Sequence, residues 1–271
     1  MMDKIQLATN FIQNTNTSVF LTGKAGTGKT TFLKNIKSTI LKRMIVLAPT
    51  GIAAINAQGI TIHSFFQLPF HPYIPGNEII EQNRFGKEKI TIIKNLDLII
   101  IDEVSMVRPD ILDAIDHILR KYRKSDQPFA GVQLLLIGDL RQLSPVIKED
   151  DRYILQKYYD SPYFFSSLAL QRTNYIAIEL TTVFRQNDED FIRILEKVRN
   201  NTIDAETIDK LNSRFLPSVN QEDGYITLTT HNNTAKAINL SRFNEIDEKE
   251  YVFKATIEGD FPEYSYPTDN I

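Results

Sequence analysis

The chain has 271 residues, 42% hydrophobic and 24% charged, which predicts a globular protein of one or two domains and excludes a disordered or fibrous chain. It has no cysteine, which excludes a disulfide framework, a thiolate zinc site and an iron–sulfur cluster, and its net formal charge of −3 says little by itself. The longest apolar runs, residues 98–101 and 134–137, are too short to cross a bilayer, and the polar start is not typical of a secretory or transit peptide, so we expect a cytosolic protein.

Short apolar segments alternate with amphipathic ones along the chain, a pattern typical of a parallel α/β sheet covered by helices on both faces. We predict strands at residues 18–22, 44–48, 96–101, 132–137 and 175–179. Apolar residues at helical spacing predict helices over residues 30–40, 108–124 and 188–199. Prolines, glycines and a lack of periodicity indicate an insertion at about residues 67–92.

The helix predicted over residues 108–124 has the clearest amphipathic pattern. Three aspartates, Asp110, Asp113 and Asp116, lie in its first half, and four basic residues lie near its end. This order of charges favours the helix dipole. We therefore expect the aspartates to stabilise the start of the helix.

The character of the sequence changes near residue 216. A predicted strand at residues 225–229, followed by a helix from about Asn233, is how a second α/β unit would begin. We therefore predict a first domain over residues 1–215 and an incomplete second domain over residues 216–271.

A phosphate-binding loop is predicted at residues 23–30, GKAGTGKT, which match G-x-x-x-x-G-K-[ST] between a predicted strand and a predicted helix. Its backbone N–H groups can point at phosphate oxygens at the positive end of the helix. Lys29 is expected to reach the β- and γ-phosphates, and the Thr30 hydroxyl to hold Mg²⁺. The predicted nucleotide-binding residues are Gly23, Ala25, Gly26, Thr27, Gly28, Lys29, Thr30 and Thr31.

Two adjacent acidic residues, Asp102 and Glu103, follow the strand predicted at residues 96–101. For such a pair alone, solvated turn residues would be the simpler interpretation. In a chain with a phosphate-binding loop, the pair instead predicts a magnesium ligand, Asp102, and a base that polarises the attacking water, Glu103.

Two more residues complete the predicted catalytic set. Gln142 follows the strand at residues 132–137, and its side-chain amide, which can both donate and accept hydrogen bonds, suits the sensing of a terminal phosphate. Arg185 carries a planar guanidinium suited to the charge that develops during hydrolysis. Taken singly, an exposed loop glutamine and a surface arginine in an ion pair are the commoner situations.

In this order and with these flanking residues, the four motifs resemble those of the superfamily-one DNA helicases, most closely the Pif family. The resemblance covers most of residues 3–240 and is most specific over residues 18–65 and 97–146. It implies a RecA-like P-loop NTPase domain that uses ATP and Mg²⁺, with Gln6 reading the adenine. The family's late motifs do not occur in these 271 residues, so we expect the second RecA-like domain to be incomplete and this chain alone to hydrolyse ATP slowly.

The resemblance also implies a DNA-contacting segment. Candidate donors to DNA phosphates are Thr50, Gly51, Thr61 and Ser64. Candidate ring faces for unpaired bases are His63, Phe65 and Phe66, with core packing as the alternative for the two phenylalanines. Residues 1–215 carry 27 basic and 24 acidic side chains, a balance that permits a polyanionic partner without establishing one.

The function that the resemblance implies is an ATP-dependent helicase and translocase on single-stranded DNA, moving 5′-to-3′. We expect it to act on forks or structured DNA in repair, recombination or telomere maintenance, to be monomeric in isolation, and to be nucleoid-associated in a bacterium or nuclear or mitochondrial in a eukaryote. The alternatives are a P-loop ATPase that remodels or loads proteins without unwinding DNA, and a nucleotide-binding module without catalysis. The intact Glu103 and Gln142 argue against the second alternative.

Overall fold

The computed structural model describes residues 3–69, 71–75, 85–182, 184, 188–216, 226–252 and 256. The chain divides into two compact units, Met1–Asp209 and Lys210–Ile271. The predicted boundary at residue 216, and the assignment of the later segment to a second RecA-like domain, stay predictions.

The first unit contains a six-stranded parallel sheet with the strand order β3-β2-β4-β5-β1-β6. The strands are β1 Ser18–Gly23, β2 Met44–Ala48, β3 Ile60–Thr61, β4 Leu98–Ile101, β5 Gln133–Gly138 and β6 Tyr175–Leu180. Each of the predicted strands in this unit forms within two residues of its expected bounds, and the short edge strand β3 was not predicted. Because all the strands are parallel, the residues that follow β1, β4 and β5 meet at one edge of the sheet.

Helices cover both faces of this sheet, as predicted. The helices of the first unit are α1 Lys4–Asn14, α2 Lys29–Thr39, α3 Gly51–Asn56, α4 Ile62–Phe66, α5 Lys87–Asn95, α6 Pro109–Arg123, α7 Glu149–Leu155, α8 Leu168–Gln171, α9 Glu189–Arg199 and α10 Ala205–Asn212, which ends just past the boundary between the units. Helix α11 Asn232–Asn244 belongs to the second unit. Apolar residues of α1 and α2 share one core with Leu98 and Ile100. Residues of α4, α5, α6 and α8 share the other core with Ile99 and Ile101. Successive residues of β4 therefore supply opposite cores, which is why this strand is uniformly apolar.

Two parts of the sequence interpretation are wrong. Helix α5 begins at Lys87, inside the stretch predicted as an irregular insertion, and its Ile93 is fully buried in the core. The strand predicted at residues 225–229 does not form over the described residues 226–229, and Tyr225 lies outside the described residues. Helix α11 confirms the helix predicted from about Asn233. In the described ranges, no helix combines the length and the apolar character that crossing a membrane requires.

The aspartates of α6 do more than begin a helix, because all three are buried. The carboxylate of Asp113 accepts four hydrogen bonds, from the Tyr159 hydroxyl at 2.9 Å, the Ser167 hydroxyl at 2.6 Å, and the Leu168 and Ala169 amides at 3.1 and 2.9 Å. Burial beside Asp113 raises the pKa of Tyr159, which keeps its phenol a donor. Asp113 thus joins α6 to the chain before β6.

Two neighbouring aspartates of α6 hold other loops in the same way. Asp110 accepts a two-pronged contact from Arg108 at 2.9 Å and a hydrogen bond from the Tyr73 amide at 3.0 Å. Asp116 accepts a hydrogen bond from the Phe129 amide. The order of charges along α6 is confirmed, with Asp110 in the first turn and basic residues in the last. The structure adds a second role for these carboxylates, which fasten loops to the helix.

We expect Asp113→Ala to lower the free energy of unfolding by ~3 kcal/mol or more, because four buried donors lose their acceptor. Urea denaturation followed by circular dichroism measures the change. Asp126→Ala is the matched control, since Asp126 is fully exposed and its contact with Arg120 at 3.4 Å lies on the surface. The control should stay within ~0.5 kcal/mol of the parent. Equal effects of the two substitutions would contradict a structural role for Asp113.

Candidate active site

The loop between β1 and α2 has the backbone shape that a phosphate cradle requires. Gly28 caps α2 with a φ of 89°, in the left-handed region that favours glycine. At Gly23, a Cβ atom would stand 2.7 Å from both the Leu180 carbonyl oxygen and the Thr27 hydroxyl, so only glycine fits there. Thr27 is buried and donates to the Lys24 carbonyl at 2.8 Å, whereas Ala25, Thr30 and Thr31 are exposed. The exposed residues are therefore free of the core and face the solvent side of the loop.

Lys29 lies at the centre of the site. Its ammonium donates to the carbonyl oxygens of Gly23 and Lys24, at 2.6 and 3.0 Å, and so folds against its own loop. Burial lowers the pKa of Lys29, while the charges of Asp139, Glu103 and Asp102 act to raise it. The structure therefore brings the phosphate-binding loop together with acidic residues that follow β4 and β5.

The predicted acidic pair occupies the end of β4. The Glu103 amide donates to a carboxylate oxygen of Asp102 at 3.1 Å, and Glu103 adopts a φ of 51°, which is uncommon for a residue other than glycine. Burial raises the pKa of Glu103, as do the charges of Asp102 and Asp139, while Lys29 opposes them. Burial also raises the pKa of Asp102, against the Glu103 amide and Lys29. A carboxylate with a raised pKa is a stronger base.

The donor set suits a magnesium ion. Mg²⁺ bound with a nucleotide takes one or two protein oxygens and completes its shell with phosphates and water. Asp102 offers a carboxylate and Thr30 a hydroxyl, both hard oxygen ligands. Among the described residues, no group of three or more His, Asp or Glu side chains forms a metal cage of its own. Binding of Mg²⁺ by Thr30 and Asp102 stays a prediction.

The loop after β5 carries Gln142 and a residue that sequence reasoning passed over, Asp139. The Gln142 backbone amide donates to the Asp139 carbonyl at 2.9 Å, and its side-chain amide to the Asp139 carboxylate at 3.4 Å. Asp139 is only 2% exposed and is paired with Arg199 of α9 at 3.0 Å. Burial would raise the pKa of Asp139, but hydrogen bonds from Arg199 and the Arg141 amide, with the charges of Arg199 and Lys29, hold it below its ordinary value.

Sequence signals for the additional residues differ in strength. Asp139 directly follows a buried strand, as Asp102 does, and this position could have identified it. Nothing in the spacing singles out Arg199, or Glu196, which forms an ion pair with Lys24 of the phosphate-binding loop. The Phe184 amide donates to the Gly26 carbonyl at 2.8 Å, which ties the chain after β6 to the same loop.

For two predicted nucleotide-site residues, Arg185 and Gln6, the structure gives no contact with the other residues of the site. Arg185 lies outside the described residues. Gln6 is exposed on α1, and its side-chain amide donates to Asn10 at 3.1 Å, one turn along the same helix. The role of Gln6 in reading adenine stays a prediction.

The candidate DNA-contacting residues begin two short helices at the carboxyl edge of β2 and β3. Thr50 caps α3 by accepting from the Ala53 amide, and Thr61 caps α4 by accepting from the Ser64 amide, each at 3.2 Å. Each hydroxyl keeps its hydrogen to donate. Gly51 and Ser64 are exposed, and no heavy atom lies within 4 Å of the position that a Cβ of Gly51 would take. These residues can therefore present donors to a phosphate backbone.

The expectation that Phe65 and Phe66 stack on bases is wrong, and core packing, the alternative, is what forms. Phe65 is 3% exposed and Phe66 is 1% exposed, with ring centroids 4.8 Å apart at an interplanar angle of 90°. The Lys89 ammonium lies 4.1 Å from the centroid of the Phe65 ring. His63 is partly buried, and burial, together with the charge of Arg108, lowers its pKa against the opposing charge of Asp110. Of the three predicted residues, only His63, with a neutral ring, remains a candidate for stacking on unpaired bases.

Comparison with known proteins identifies similar chains. The profile of the PIF1-like helicase family matches residues 2–209. The chain is 34% identical to the ATP-dependent DNA helicase RRM3 of Saccharomyces cerevisiae, over 91% of this chain and 34% of that protein. It is 32% identical to the ATP-dependent DNA helicase Pif1 of Campylobacter jejuni, over 89% of this chain and 54% of that protein.

A crystal structure of the Pif1 helicase from Bacteroides, in complex with ADP-AlF3 and single-stranded DNA, has a TM-score of 0.87 and 42% identity to this chain. The match covers 99% of this chain and 62% of the other. The likeness confirms the RecA-like P-loop NTPase fold. The chain spans about a third of the length of the yeast relative and less than two thirds of the Bacteroides chain.

We expect Lys29→Ala to abolish productive ATP binding, because it removes the charge that is expected to reach the β- and γ-phosphates. Titration calorimetry with ADP and with a non-hydrolysable ATP analogue measures the loss. Lys34→Ala, at an exposed position of the same helix, is the control and should bind like the parent. Unchanged nucleotide affinity after Lys29→Ala would contradict the site.

Proposed function

Because the chain belongs to the PIF1-like helicase family, we propose that it supplies the ATP-hydrolysing domain of an ATP-dependent DNA helicase. The observation that carries the proposal is the convergence on Lys29 of charges from Asp102, Glu103 and Asp139, which follow two neighbouring strands of the sheet. This is the arrangement that phosphoryl transfer needs: a cation and a phosphate cradle opposite carboxylates for a metal and for a water.

We propose the following roles for the residues of the site. The phosphate-binding loop and Lys29 bind the β- and γ-phosphates, and Thr30 and Asp102 hold Mg²⁺, which supplies neutralising charge when bound. Glu103, whose pKa is raised by burial, accepts the proton of the attacking water. Gln142 contacts the terminal phosphate, and Arg185 stabilises the charge that develops on it. Lys29, Thr30, Asp102, Glu103 and Gln142 belong to the segments that follow β1, β4 and β5, and Arg185 lies outside the described residues.

The proposed DNA path uses the same edge of the sheet. Thr50 and Gly51 follow β2, the neighbour of β4, and Thr61 ends β3, the strand on the other side of β2. The proposed donors to DNA phosphates therefore lie at the same edge of the sheet as Asp102, which follows β4. The relatives favour strand movement over the alternative of a protein loader, because their names describe DNA helicases and one was crystallised with single-stranded DNA. Movement in the 5′-to-3′ direction, and a location wherever cellular DNA lies, belong to the same proposal.

We expect Glu103→Gln to keep nucleotide affinity while lowering turnover ~10²-fold or more, because the amide preserves shape but cannot accept the proton. Phosphate release in the presence of single-stranded DNA, beside ADP binding by calorimetry, separates the two effects. Glu88→Gln, in the first turn of α5, is a matched control and should turn over normally. Loss of binding together with turnover would contradict the role of Glu103 as a base.

We expect DNA binding to be independent of sequence and to weaken steeply with salt, because phosphate contacts and stacking supply it. Fluorescence anisotropy with two unrelated single strands over a range of salt concentrations tests this. Phosphate release measured with and without those strands then separates a DNA-stimulated motor from a loader. A large difference in affinity between the strands, or no dependence on salt, would contradict the proposed DNA site.

A further inference from the structure

The end of α9 and the loop after β5 hold each other through reciprocal contacts. The Arg199 guanidinium donates to both carboxylate oxygens of Asp139, at 3.0 and 3.3 Å. In the opposite direction, the Arg141 guanidinium donates to the Arg199 carbonyl at 3.2 Å and to the Asn200 side chain at 2.6 Å. A pair of arginines therefore fixes this loop to the C-terminal end of one helix.

The contacts of Arg199 and Gln142 meet at the carboxylate of Asp139. Besides Arg199, the Asp139 carboxylate accepts the Arg141 amide at 3.1 Å and the Gln142 side chain at 3.4 Å. The two-pronged contact with Arg199 holds both oxygens of the Asp139 carboxylate in the orientation in which it accepts these bonds. The direction of the Gln142 side chain thus depends on the direction of Asp139, which Arg199 sets.

We propose that Arg199 is a positioning residue for ATP hydrolysis, acting on Gln142 through Asp139. The inference rests on the proposed function of the site. Arg199 is partly exposed and Asp139 is buried, so the arginine also supplies the positive charge that lets a third carboxylate lie near Asp102 and Glu103. Without Arg199, Gln142 and Asp139 are still present in the loop after β5, but the contact that directs the glutamine at the terminal phosphate is lost.

Loss of a positioning residue lowers kcat and leaves ground-state binding of the nucleotide nearly unchanged, whereas loss of a merely structural residue does not separate the two. In the proposed site, Gln142 contacts only the terminal phosphate, which ADP lacks, so loss of Arg199 should leave ADP affinity and KM for ATP nearly unchanged. An interaction made only in the transition state lowers kcat instead. Small misplacement of an orienting group costs ~10- to 100-fold in rate. The test therefore compares the change in kcat with the changes in ADP affinity and in KM for ATP.

The test uses the product of the whole gene, with Arg199→Gln and Arg199→Lys. We expect Arg199→Gln to lower kcat by ~10-fold or more and to weaken binding of ADP with aluminium fluoride by a similar factor, with ADP affinity within ~2-fold. Arg199→Lys keeps the charge but not the two-pronged contact, so its kcat should be intermediate. Arg193→Gln on the same helix, whose partners are Asp190 and Glu206, is the control and should match the parent.

The coupling to Gln142 is tested by combining substitutions. Gln142→Ala with Arg199→Gln should be no slower than Gln142→Ala alone, and Asp139→Asn should likewise reduce the effect of Arg199→Gln. If Arg199→Gln does not fold, Arg199→Lys and the Asp139→Asn/Arg199→Gln pair, which has no unpaired buried charge, are judged by the same criteria.

Three results would overturn the inference: an unchanged kcat, equal losses of ADP and ADP–aluminium fluoride affinity, or full additivity with Gln142→Ala. A different result addresses the proposed function itself. If the parent binds ADP with aluminium fluoride no more tightly than ADP alone, the site does not stabilise phosphoryl transfer, and the ATPase proposal falls with the role of Arg199.

Discussion

The parallel direction of the strands is the constraint on which the site depends. β1, β5 and β4 are successive neighbours, so the ends of β1 and β4 lie about 10 Å apart at one edge of the sheet. That distance allows a phosphate-binding loop on one strand to face a carboxylate pair on another, with the loop after β5 between them. Nearly complete burial of β4 and β5 keeps these strand ends fixed relative to one another.

Charge at this edge has to be balanced within a small, partly buried space. Three carboxylates, those of Asp102, Glu103 and Asp139, act on the single ammonium of Lys29. Arg199 neutralises Asp139, which leaves the other two to a metal and a water in the proposed mechanism. Arg199 and Glu196 are both on α9, so one helix contacts the loop after β5 and, through Lys24, the phosphate-binding loop. The second contact explains how a helix with no fully buried residue is held in place.

Buried carboxylates also perform a mechanical function away from the site. Asp110, Asp113 and Asp116 occupy the buried side of α6 and accept backbone amides from segments far apart in the chain. Such bonds specify one position for each loop, since a buried amide without an acceptor costs ~1–3 kcal/mol. The start of α8, which precedes β6 in the chain, depends on Asp113 in this way.

The sequence by itself determined five of the six strands of the sheet, the phosphate-binding loop and the acidic pair, because each depends on local pattern: apolar runs, glycines that permit one backbone shape, and polar residues at strand ends. Tertiary structure decided the rest. Phe65 and Phe66 resemble exposed stacking residues in sequence, yet neighbouring helices bury them. From the sequence, the aspartates of α6 are predicted to interact with the helix dipole, and only the folded chain shows that they also accept hydrogen bonds from distant loops. Arg199 lies 60 positions after Asp139 in the chain, and only folding brings a helix end and a strand end together, so no local pattern could have revealed that pair.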